Sequence, residues 1–304
     1  MRVAVIGVGH LGRQHARLYR ELEGVELTAV VDILEDRAAE VAETYETTPL
    51  TNFRDVFGKV DAVSLAVPTS EHARIGAELL ANGIDVLVEK PIGADLEDAR
   101  TLIRRASEYG RILQVGHVER FNPVVCAATE IATQPQFFEI HRLAEFSPRS
   151  LDIDVVLDLM IHDIDIVLSL TRAPALEVRA VGIPVLSERA DIANARVEFE
   201  NGCVANFTAS RVSFEKVRKL RFFQPQAYIS VDYAAQKGKI VSVRMGRITE
   251  RKLEPTMEEP LRLELKAFLH SVRTRSRPAV TGEDGLRALE LAMRINEEIG
   301  RRSK

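Results

Sequence analysis

The feature that most constrains the fold is an alternation of short apolar runs with helical patterns up to Gly116. The apolar runs are continuous and rich in Val, Ile and Leu: Val3–Ile6, Leu27–Val31, Ala62–Val67, Val86–Val88 and Ile112–Val115. The helical patterns lie between them: Leu11–Leu22, Asp36–Tyr45, Glu71–Ala81 and Asp95–Tyr109. Continuous apolar strands suit a sheet covered on both faces, and strands that alternate with helices form βαβ units. We therefore predict an α/β fold whose N-terminal domain is a doubly wound parallel sheet of the Rossmann type.

Beyond Gly116 the pattern changes to strands joined by hairpins. The predicted strands are Phe137–Ala144, Val178–Ile183, Arg196–Glu200, Val204–Ser210, Lys219–Phe223, Tyr228–Tyr233 and Ile240–Met245. Asn201-Gly202 is a strong hairpin signal between two of them. The predicted helices are Asp154–Leu170, Leu261–Arg273 and Asp284–Ile299. We expect an α+β domain with a largely antiparallel open sheet, residues 119–304 following a first domain of residues 1–118, and leave open whether the last helix packs back on the first domain.

Charge and hydropathy exclude several classes of protein. The net charge of −4 gives no general attraction for nucleic acid, and no apolar stretch approaches the roughly 18 residues of a membrane span. The N-terminal residues lack the apolar run of a signal peptide. The two cysteines, Cys126 and Cys203, form no disulfide framework or metal cluster. We expect a cytoplasmic protein with no membrane or nucleic-acid partner.

A glycine-rich run, GVGHLG, joins the first strand to the first helix. In this position Gly7 permits a tight turn, Gly9 lets a pyrophosphate approach the backbone, and Gly12 lets helix and strand pack closely. The N-terminus of the helix offers unpaired N–H groups to phosphates. The pattern predicts a dinucleotide site, with contacts from Gly7, Gly9, His10, Leu11 and Gly12.

Asp32 closes the second strand, 20 residues after Gly12. A carboxylate there accepts hydrogen bonds from both ribose hydroxyls and repels a 2′-phosphate, which favours NAD over NADP. Arg37 is near enough to meet a phosphate, so NADP stays the less favoured alternative. Asp32 is otherwise read as a turn or cap residue.

The fifth strand ends in Glu89-Lys90-Pro91. Ligands of open α/β sheets bind beyond the carboxyl ends of the strands, where Lys90 is able to hold a hydroxyl oxygen and relay its proton. From the residues alone, an exposed lysine at a strand end is the favoured interpretation.

The helix predicted over residues 154–170 contains Asp158 and His162 four residues apart, and Asp165 three residues later. This spacing predicts one polar face on which a histidine flanked by carboxylates acts as acid or base. A structural histidine is the alternative. A metal site is disfavoured, because a second His or Cys at ligand spacing is missing. His117, Arg120 and Asn122 follow the sixth strand, where they either line an active site or hold the domains together.

Taken together, these motifs resemble the glucose–fructose oxidoreductase / inositol dehydrogenase (Gfo/Idh/MocA) family. The resemblance extends over the whole chain and depends on the glycine run, Asp32 with Arg37, the segment from Pro68 to His72, Glu89-Lys90-Pro91, and the pair Asp158 and His162.

The resemblance implies NAD-dependent hydride transfer at a sugar or cyclitol carbon. It implies that Lys90, His162 and Asp158 are catalytic, that Pro68, His72, Glu89 and Lys90 join the cofactor contacts, and that the Lys90–Pro91 bond is cis. It further implies that the open sheet of the second domain forms the interface of a homodimer or homotetramer.

Met160 departs from the glycine that the family commonly has two residues before the histidine. With this segment and the run from Gly116 to Pro123, the chain resembles a subgroup that oxidises UDP-N-acetylglucosamine at C3, a step in lipid A precursor synthesis. The residues then expected to contact substrate are His117, Arg120, Asn122, Arg149, Asp158 and His162, and Arg142 is a further cation for a diphosphate. Three hypotheses stay open: that enzyme, a dehydrogenase of a free sugar or inositol, and a non-catalytic sugar-binding regulator.

Overall fold

The computed structural model describes residues 1–146, 153–244 and 246–302. The chain forms two units, one of Met1–His117 with Leu261–Leu286, the other of Val118–Pro260 with the chain from Arg287 onward. The segment Leu261–Leu286, which the sequence led us to place in the second domain, thus belongs to the first unit.

Most strands and helices lie close to the predicted positions, but the helix Pro123–Ile131 was not predicted. The strands are β1 Arg2–Ile6, β2 Glu26–Val31, β3 Thr48–Leu50, β4 Ala62–Leu65, β5 Asp85–Glu89, β6 Leu113–Gly116, β7 Phe137–Leu143, β8 Ala175–Ile183, β9 Ile192–Phe199, β10 Val204–Ser210, β11 Val217–Gln224, β12 Ala227–Asp232, β13 Lys237–Arg244 and β14 Arg247–Leu253. The α-helices are α1 His10–Glu21, α2 Glu35–Tyr45, α3 His72–Ala81, α4 Leu96–Glu108, α5 Pro123–Ile131, α6 Ile161–Thr171, α7 Pro260–Thr274 and α8 Gly282–Arg302. Among the described residues, no helix is long and apolar enough to cross a membrane.

The first unit is built on a parallel sheet with the order β3-β2-β1-β4-β5-β6. This order confirms the predicted doubly wound sheet, and its reversal point lies between β1 and β4. Strands β1, β4 and β5 are almost wholly buried, as their continuous apolar sequence predicts. The short edge strand β3 was missed, because its three residues are mostly exposed and carry no apolar run.

The second unit contains an eight-stranded sheet with the order β14-β13-β12-β11-β7-β10-β9-β8. Neighbouring strands are antiparallel except β7 and β10, which confirms the largely antiparallel sheet. Its inner face buries Phe138, Phe207 and Phe222 in one core with residues of α6 and α8. Asn201-Gly202 forms the β9–β10 turn, with Gly202 at φ 80°. Strand β14 was missed because its residues are charged and exposed up to Leu253.

The helix predicted over 154–170 is interrupted near its start. Val156–Met160 form a π-helical turn in which the N–H of Ile161 bonds the carbonyl of Val156, and α6 continues from there. Single π turns inside helices are frequent at functional sites, and this one lies directly before His162.

Candidate active site

The loop after β1 is shaped by its glycines. Gly7 has φ +83°, and a Cβ there would lie 2.5 Å from the Ala66 carbonyl oxygen. A Cβ on Gly12 would lie 1.8 Å from the Gly7 carbonyl oxygen, so no side chain fits where α1 crosses the loop. A Cβ on Gly9, by contrast, would meet no atom within 4 Å. The loop therefore packs tightly against the protein at Gly7 and Gly12 and has open space beside Gly9.

Beside this loop lies a cleft of about 670 Å³ at the carboxyl end of the parallel sheet. Of the residues predicted from the sequence, Gly7, Gly9, Asp32, Arg37 and Pro68 line it. Ile33, Leu34, Phe53 and Arg74 also line it and were not predicted. His10 and Leu11 are exposed on the first turn of α1.

Asp32 is the polar centre of this cleft. Its carboxylate is 6% exposed and accepts hydrogen bonds from Val8 N at 3.1 Å and Leu34 N at 3.0 Å. Arg37 Nη1 lies 3.3 Å from Asp32 Oδ2. Together with the open side of Gly9 and a helix start without a side-chain cap, this arrangement fits a dinucleotide.

Lys90 follows directly on β5 and is half-buried, and the Lys90–Pro91 bond is cis. The preceding Glu89 is buried and its Oε2 accepts the Lys90 backbone N–H at 3.3 Å. Burial favours a raised pKa for the Glu89 carboxyl, but the hydrogen bond from His15 and the positive Lys90 outweigh burial and lower it. An ionised carboxylate therefore lies beneath the lysine.

His72, a predicted cofactor contact, is buried against two backbone carbonyl groups. It is 1% exposed, with Nδ1 2.9 Å from the Pro91 carbonyl oxygen and Nε2 3.0 Å from that of Val67. Burial lowers the pKa of the imidazole, although these two carbonyls oppose the shift. Because both ring nitrogens face the backbone, His72 ties the loop after β4 to the turn that carries Lys90.

In the second unit, Asp158 and His162 are half-buried on either side of the π–α junction. The prediction that Asp165 shares their open polar face is wrong. Asp165 is 1% exposed and pairs through both oxygens with Arg120, at 2.8 and 2.9 Å. Asp163 is equally buried and pairs with Arg142 at 2.7 and 2.9 Å.

These pairs change the interpretation of the candidate substrate residues. The guanidinium groups of Arg120 and Arg142 bind carboxylates of the protein itself. Asn122 is 3% exposed, caps α5 through Val124 N, and donates to the Tyr233 carbonyl oxygen at 3.1 Å. Asn122 is thus a helix cap. His117 is buried at the end of the first unit, and Arg149 lies outside the described residues.

Three polar residues near Lys90 escaped the sequence reasoning: His15, Tyr19 and Ser64. They are fully buried, and His15 contacts Glu89. One signal was available, because helical spacing places His15 and Tyr19 on the same face of α1 as Gly12 and Ala16, which is the face that packs on the sheet. The described residues contain no group of three His, Cys, Asp or Glu arranged to hold a metal ion.

Two family models match the chain. Residues 1–117 match the oxidoreductase family with an NAD-binding Rossmann fold, and residues 133–230 match the GFO/IDH/MocA C-terminal domain. UDP-N-acetylglucosamine 3-dehydrogenase of Acidithiobacillus ferrooxidans is 37% identical in an alignment 302 residues long that covers 97% of this chain and 96% of that protein. The chain belongs to the GFO/IDH/MocA oxidoreductase family.

Other relatives agree with this membership. The crystal structure of the Acidithiobacillus dehydrogenase superposes with a TM-score of 0.94 and covers 98% of this chain and 97% of that one. The scyllo-inositol 2-dehydrogenase (NAD(+)) of Bacillus subtilis is 28% identical over 96% of this chain and 92% of that protein. A scyllo-inositol dehydrogenase of Lactobacillus casei, solved with NAD(H) and scyllo-inositol, shares the fold at 19% identity, with a TM-score of 0.85 over 99% of this chain and 97% of that one.

Proposed function

We propose that this GFO/IDH/MocA oxidoreductase oxidises the C3 hydroxyl of UDP-N-acetylglucosamine with NAD, to give the 3-keto sugar nucleotide. The observation that carries the proposal is 37% identity to a UDP-N-acetylglucosamine 3-dehydrogenase over nearly the full length, so that the relationship includes the second unit as well as the cofactor unit. A 3-keto sugar nucleotide is a substrate for amination, which places the reaction before an aminotransferase in lipid A or amino-sugar precursor synthesis.

The residues proposed to hold the cofactor are those of the first cleft. The loop from Gly7 to Gly12 and the start of α1 would bind the pyrophosphate, and Asp32 would accept the adenosine ribose hydroxyls. The buried negative charge of Asp32 opposes a 2′-phosphate and therefore supports NAD over NADP. Bound NAD supplies a hydride acceptor at C4 of the nicotinamide.

The acid–base work is assigned to Lys90 and His162. The Lys90 side chain, at the carboxyl end of β5, is proposed to hold the oxygen of the reacting hydroxyl. Oxidation of an alcohol also releases the hydroxyl proton, and either Lys90 or His162 accepts it. Asp158, four residues before His162 on the same helix, would favour the protonated imidazole that results.

The test measures NADH formation by the purified protein with NAD and UDP-N-acetylglucosamine. A pyridoxal-phosphate aminotransferase with glutamate is added to draw the unfavourable oxidation forward. We expect turnover with UDP-N-acetylglucosamine and at least tenfold lower kcat/KM with free N-acetylglucosamine. Absence of turnover in a protein that still binds NAD would contradict the substrate assignment.

An inositol is the second candidate substrate, because an inositol dehydrogenase of Bacillus subtilis matches 96% of this chain. The same assay with scyllo- and myo-inositol distinguishes the two, since an inositol dehydrogenase needs no uridine group. Binding of NAD without turnover of any of these compounds would favour a regulator.

We further propose that the enzyme is a cytoplasmic homodimer or homotetramer that associates through the outer face of its eight-stranded sheet. Phe137, Phe223 and Tyr228 stack on that face, with neighbouring ring centroids 5.6 and 4.9 Å apart. Val243 and Ile248 lie opposite each other on the same face and are exposed. Large exposed apolar patches mark interaction surfaces. Light scattering should therefore give a smaller mass for Phe223→Glu than for wild type, and equal masses would contradict the interface.

A further inference from the structure

A line of hydrogen-bonded side chains runs inside the first unit from α1 to the end of β5. The Tyr19 hydroxyl lies 2.8 Å from Ser64 Oγ, Ser64 Oγ lies 2.9 Å from His15 Nδ1, and His15 Nε2 lies 3.0 Å from Glu89 Oε1. Tyr19, Ser64 and His15 are 0% exposed and Glu89 is 7% exposed. Packing alone would favour apolar residues here, because buried polar groups destabilise a fold unless every hydrogen bond is made.

The hydrogen bonds of this line have one consistent direction. Glu89 is ionised and only accepts, so His15 Nε2 must donate to it. His15 Nδ1 then accepts from the Ser64 hydroxyl, and Ser64 accepts from Tyr19. Burial raises the pKa of the Tyr19 hydroxyl, which keeps its proton in place as the last donor. With a proton on Nε2 of His15 and none on Nδ1, each hydrogen bond of the line has one donor and one acceptor.

The line of hydrogen bonds ends at Glu89, which directly precedes Lys90 and contacts its backbone N–H. Glu89 Oε2 accepts the Lys90 backbone N–H, while Oε1 is held by His15. Gly116 on the neighbouring strand leaves the necessary space, because a Cβ there would lie 3.0 Å from the carboxyl carbon of Glu89. The two oxygens of the Glu89 carboxylate are thus each held by a hydrogen bond, and the positive charge of Lys90 acts on the same carboxylate.

We propose that His15 is a positioning residue for Lys90, which acts by holding the Glu89 carboxylate in place at the end of β5. His15 connects α1, whose N-cap residue Gly9 lines the cofactor cleft, to the strand that precedes the lysine. The inference rests on the proposed function in one respect: of the two groups proposed there, Lys90 is taken as the one that accepts the proton of the substrate hydroxyl.

The test compares His15→Leu, which removes the donor to Glu89, with His15→Gln, whose amide retains one. In His15→Leu the carboxylate loses its donor in a buried place and takes up a proton more readily. We expect kcat to fall about tenfold or more, as for a displaced catalytic group, and the acid limb of the kcat/KM profile to move to lower pH. The shift follows because loss of the Glu89 charge removes an attraction that favours protonated Lys90. His15→Gln should restore much of kcat and the wild-type profile.

Tyr19→Phe is the matched control, because it removes a hydroxyl from the far end of the line and leaves the contact between His15 and Glu89. Its kcat and pH profile should equal those of wild type. Equal losses in Tyr19→Phe and His15→Leu, or a wild-type profile in folded His15→Leu, would overturn the inference. Glu89→Gln, which is nearly isosteric, tests the same charge if His15→Leu does not fold.

A readout without substrate separates this inference from the proposed function. Lysines are reductively methylated with ¹³C-formaldehyde, and the Lys90 signal is identified by its loss in Lys90→Arg. Its titration midpoint, followed by NMR, should lie at lower pH in His15→Leu and in Glu89→Gln than in wild type and Tyr19→Phe. An unchanged midpoint contradicts the role of His15, whichever sugar or cyclitol the enzyme oxidises.

Discussion

Lys90 and His162 are the two acid–base groups of the proposed reaction, and the two units hold them in different ways. Lys90 extends from the end of a buried parallel strand, above one carboxylate that neutral hydrogen-bonding groups support. His162 lies at a π–α junction, and the neighbouring carboxylates, Asp163 and Asp165, are each bound through both oxygens by an arginine. The surroundings of Lys90 thus depend on a strand end and on the packing of α1 against the sheet. The surroundings of His162 depend on buried ion pairs between residues distant in sequence.

The difference has an energetic consequence. Removal of the Tyr19 hydroxyl, the outer member of the line in the first unit, costs about 1–3 kcal/mol, because one buried neutral partner, Ser64, loses a hydrogen bond. A buried ion pair is more sensitive, because removal of one partner leaves an uncompensated charge in a poorly solvated place. Loss of a buried arginine in the second unit should therefore be more destabilising than loss of the Tyr19 hydroxyl in the first.

The largest effect is expected for Arg142→Met. Arg142 is 3% exposed and binds Asp163 and, at 3.0 Å, Glu119. The substitution removes the arginine from the buried Asp163 and leaves Glu119 with its longer contacts to Arg218 and Asn122, at 3.5 and 3.3 Å. We expect the free energy of unfolding to fall by about 3–5 kcal/mol, as measured by urea denaturation.

Arg179→Met is the matched control, because it removes the same charge from an exposed pair with Glu177 on the same sheet. It should leave the urea midpoint unchanged. Similar urea midpoints for the two variants would show that the buried ion pairs next to His162 contribute no more to stability than an exposed pair does.

For Lys90→Ala we expect kcat to fall by about 10²-fold or more, the contribution of a positioned acid–base group. Stability should change little, because the side chain is only half-buried at the end of its strand. Lys239→Ala, which removes an exposed lysine paired with Glu250, should keep wild-type turnover. Near-normal turnover of Lys90→Ala would show that Lys90 is not an acid–base group of the reaction, and the comparison with His162 would no longer hold.

The third effect concerns acid stability in the second unit. Asp191 accepts hydrogen bonds from three backbone N–H groups of the loop that follows β8, and from Arg211 Nε at 2.8 Å. Burial would raise the pKa of the Asp191 carboxyl, but these N–H groups and Arg211 lower it far below its ordinary value. Because the folded-state pKa is depressed, this contribution is complete above the unfolded pKa, near 4, and is lost as pH falls through the folded-state pKa.

Asp191→Asn should therefore reduce the free energy of unfolding by about 2 kcal/mol at neutral pH, and by progressively less below about pH 4. Urea denaturation across pH measures the difference from wild type. Asp232→Asn, at a carboxylate that accepts one hydrogen bond in a turn, is the control. A difference that does not shrink with acid would mean that the charge of Asp191 is not what stabilises the loop.

The two supports also differ in how far sequence predicts them. The parallel sheet, the glycine loop and the strand-end lysine follow from local patterns, because buried strands, tight turns and helix starts each depend on a few consecutive residues. The ion pairs of the second unit join residues 21 to 45 positions apart, Arg142 with Asp163 and Arg120 with Asp165. A single sequence carries no signal for such pairing, so both arginines were interpreted as substrate contacts. The π turn was missed for a related reason, since it alters the register of a helix whose composition is ordinary.

The smallest effect is expected at Asp32, where the prediction from sequence and the local geometry agree most closely. Asp32→Ala removes the carboxylate that would accept the ribose hydroxyls and oppose a 2′-phosphate, while Arg37 stays beside the cleft. The ratio of kcat/KM for NADP to that for NAD should rise by about tenfold, the contribution of one hydrogen bond to a charged group. Asp36→Ala, which removes an exposed carboxylate from the first turn of α2, should leave the ratio unchanged. An unchanged ratio in Asp32→Ala would show that the depth of the cleft, and not its charge, selects the cofactor. The local sequence pattern would then have predicted the position of Asp32 without predicting its role.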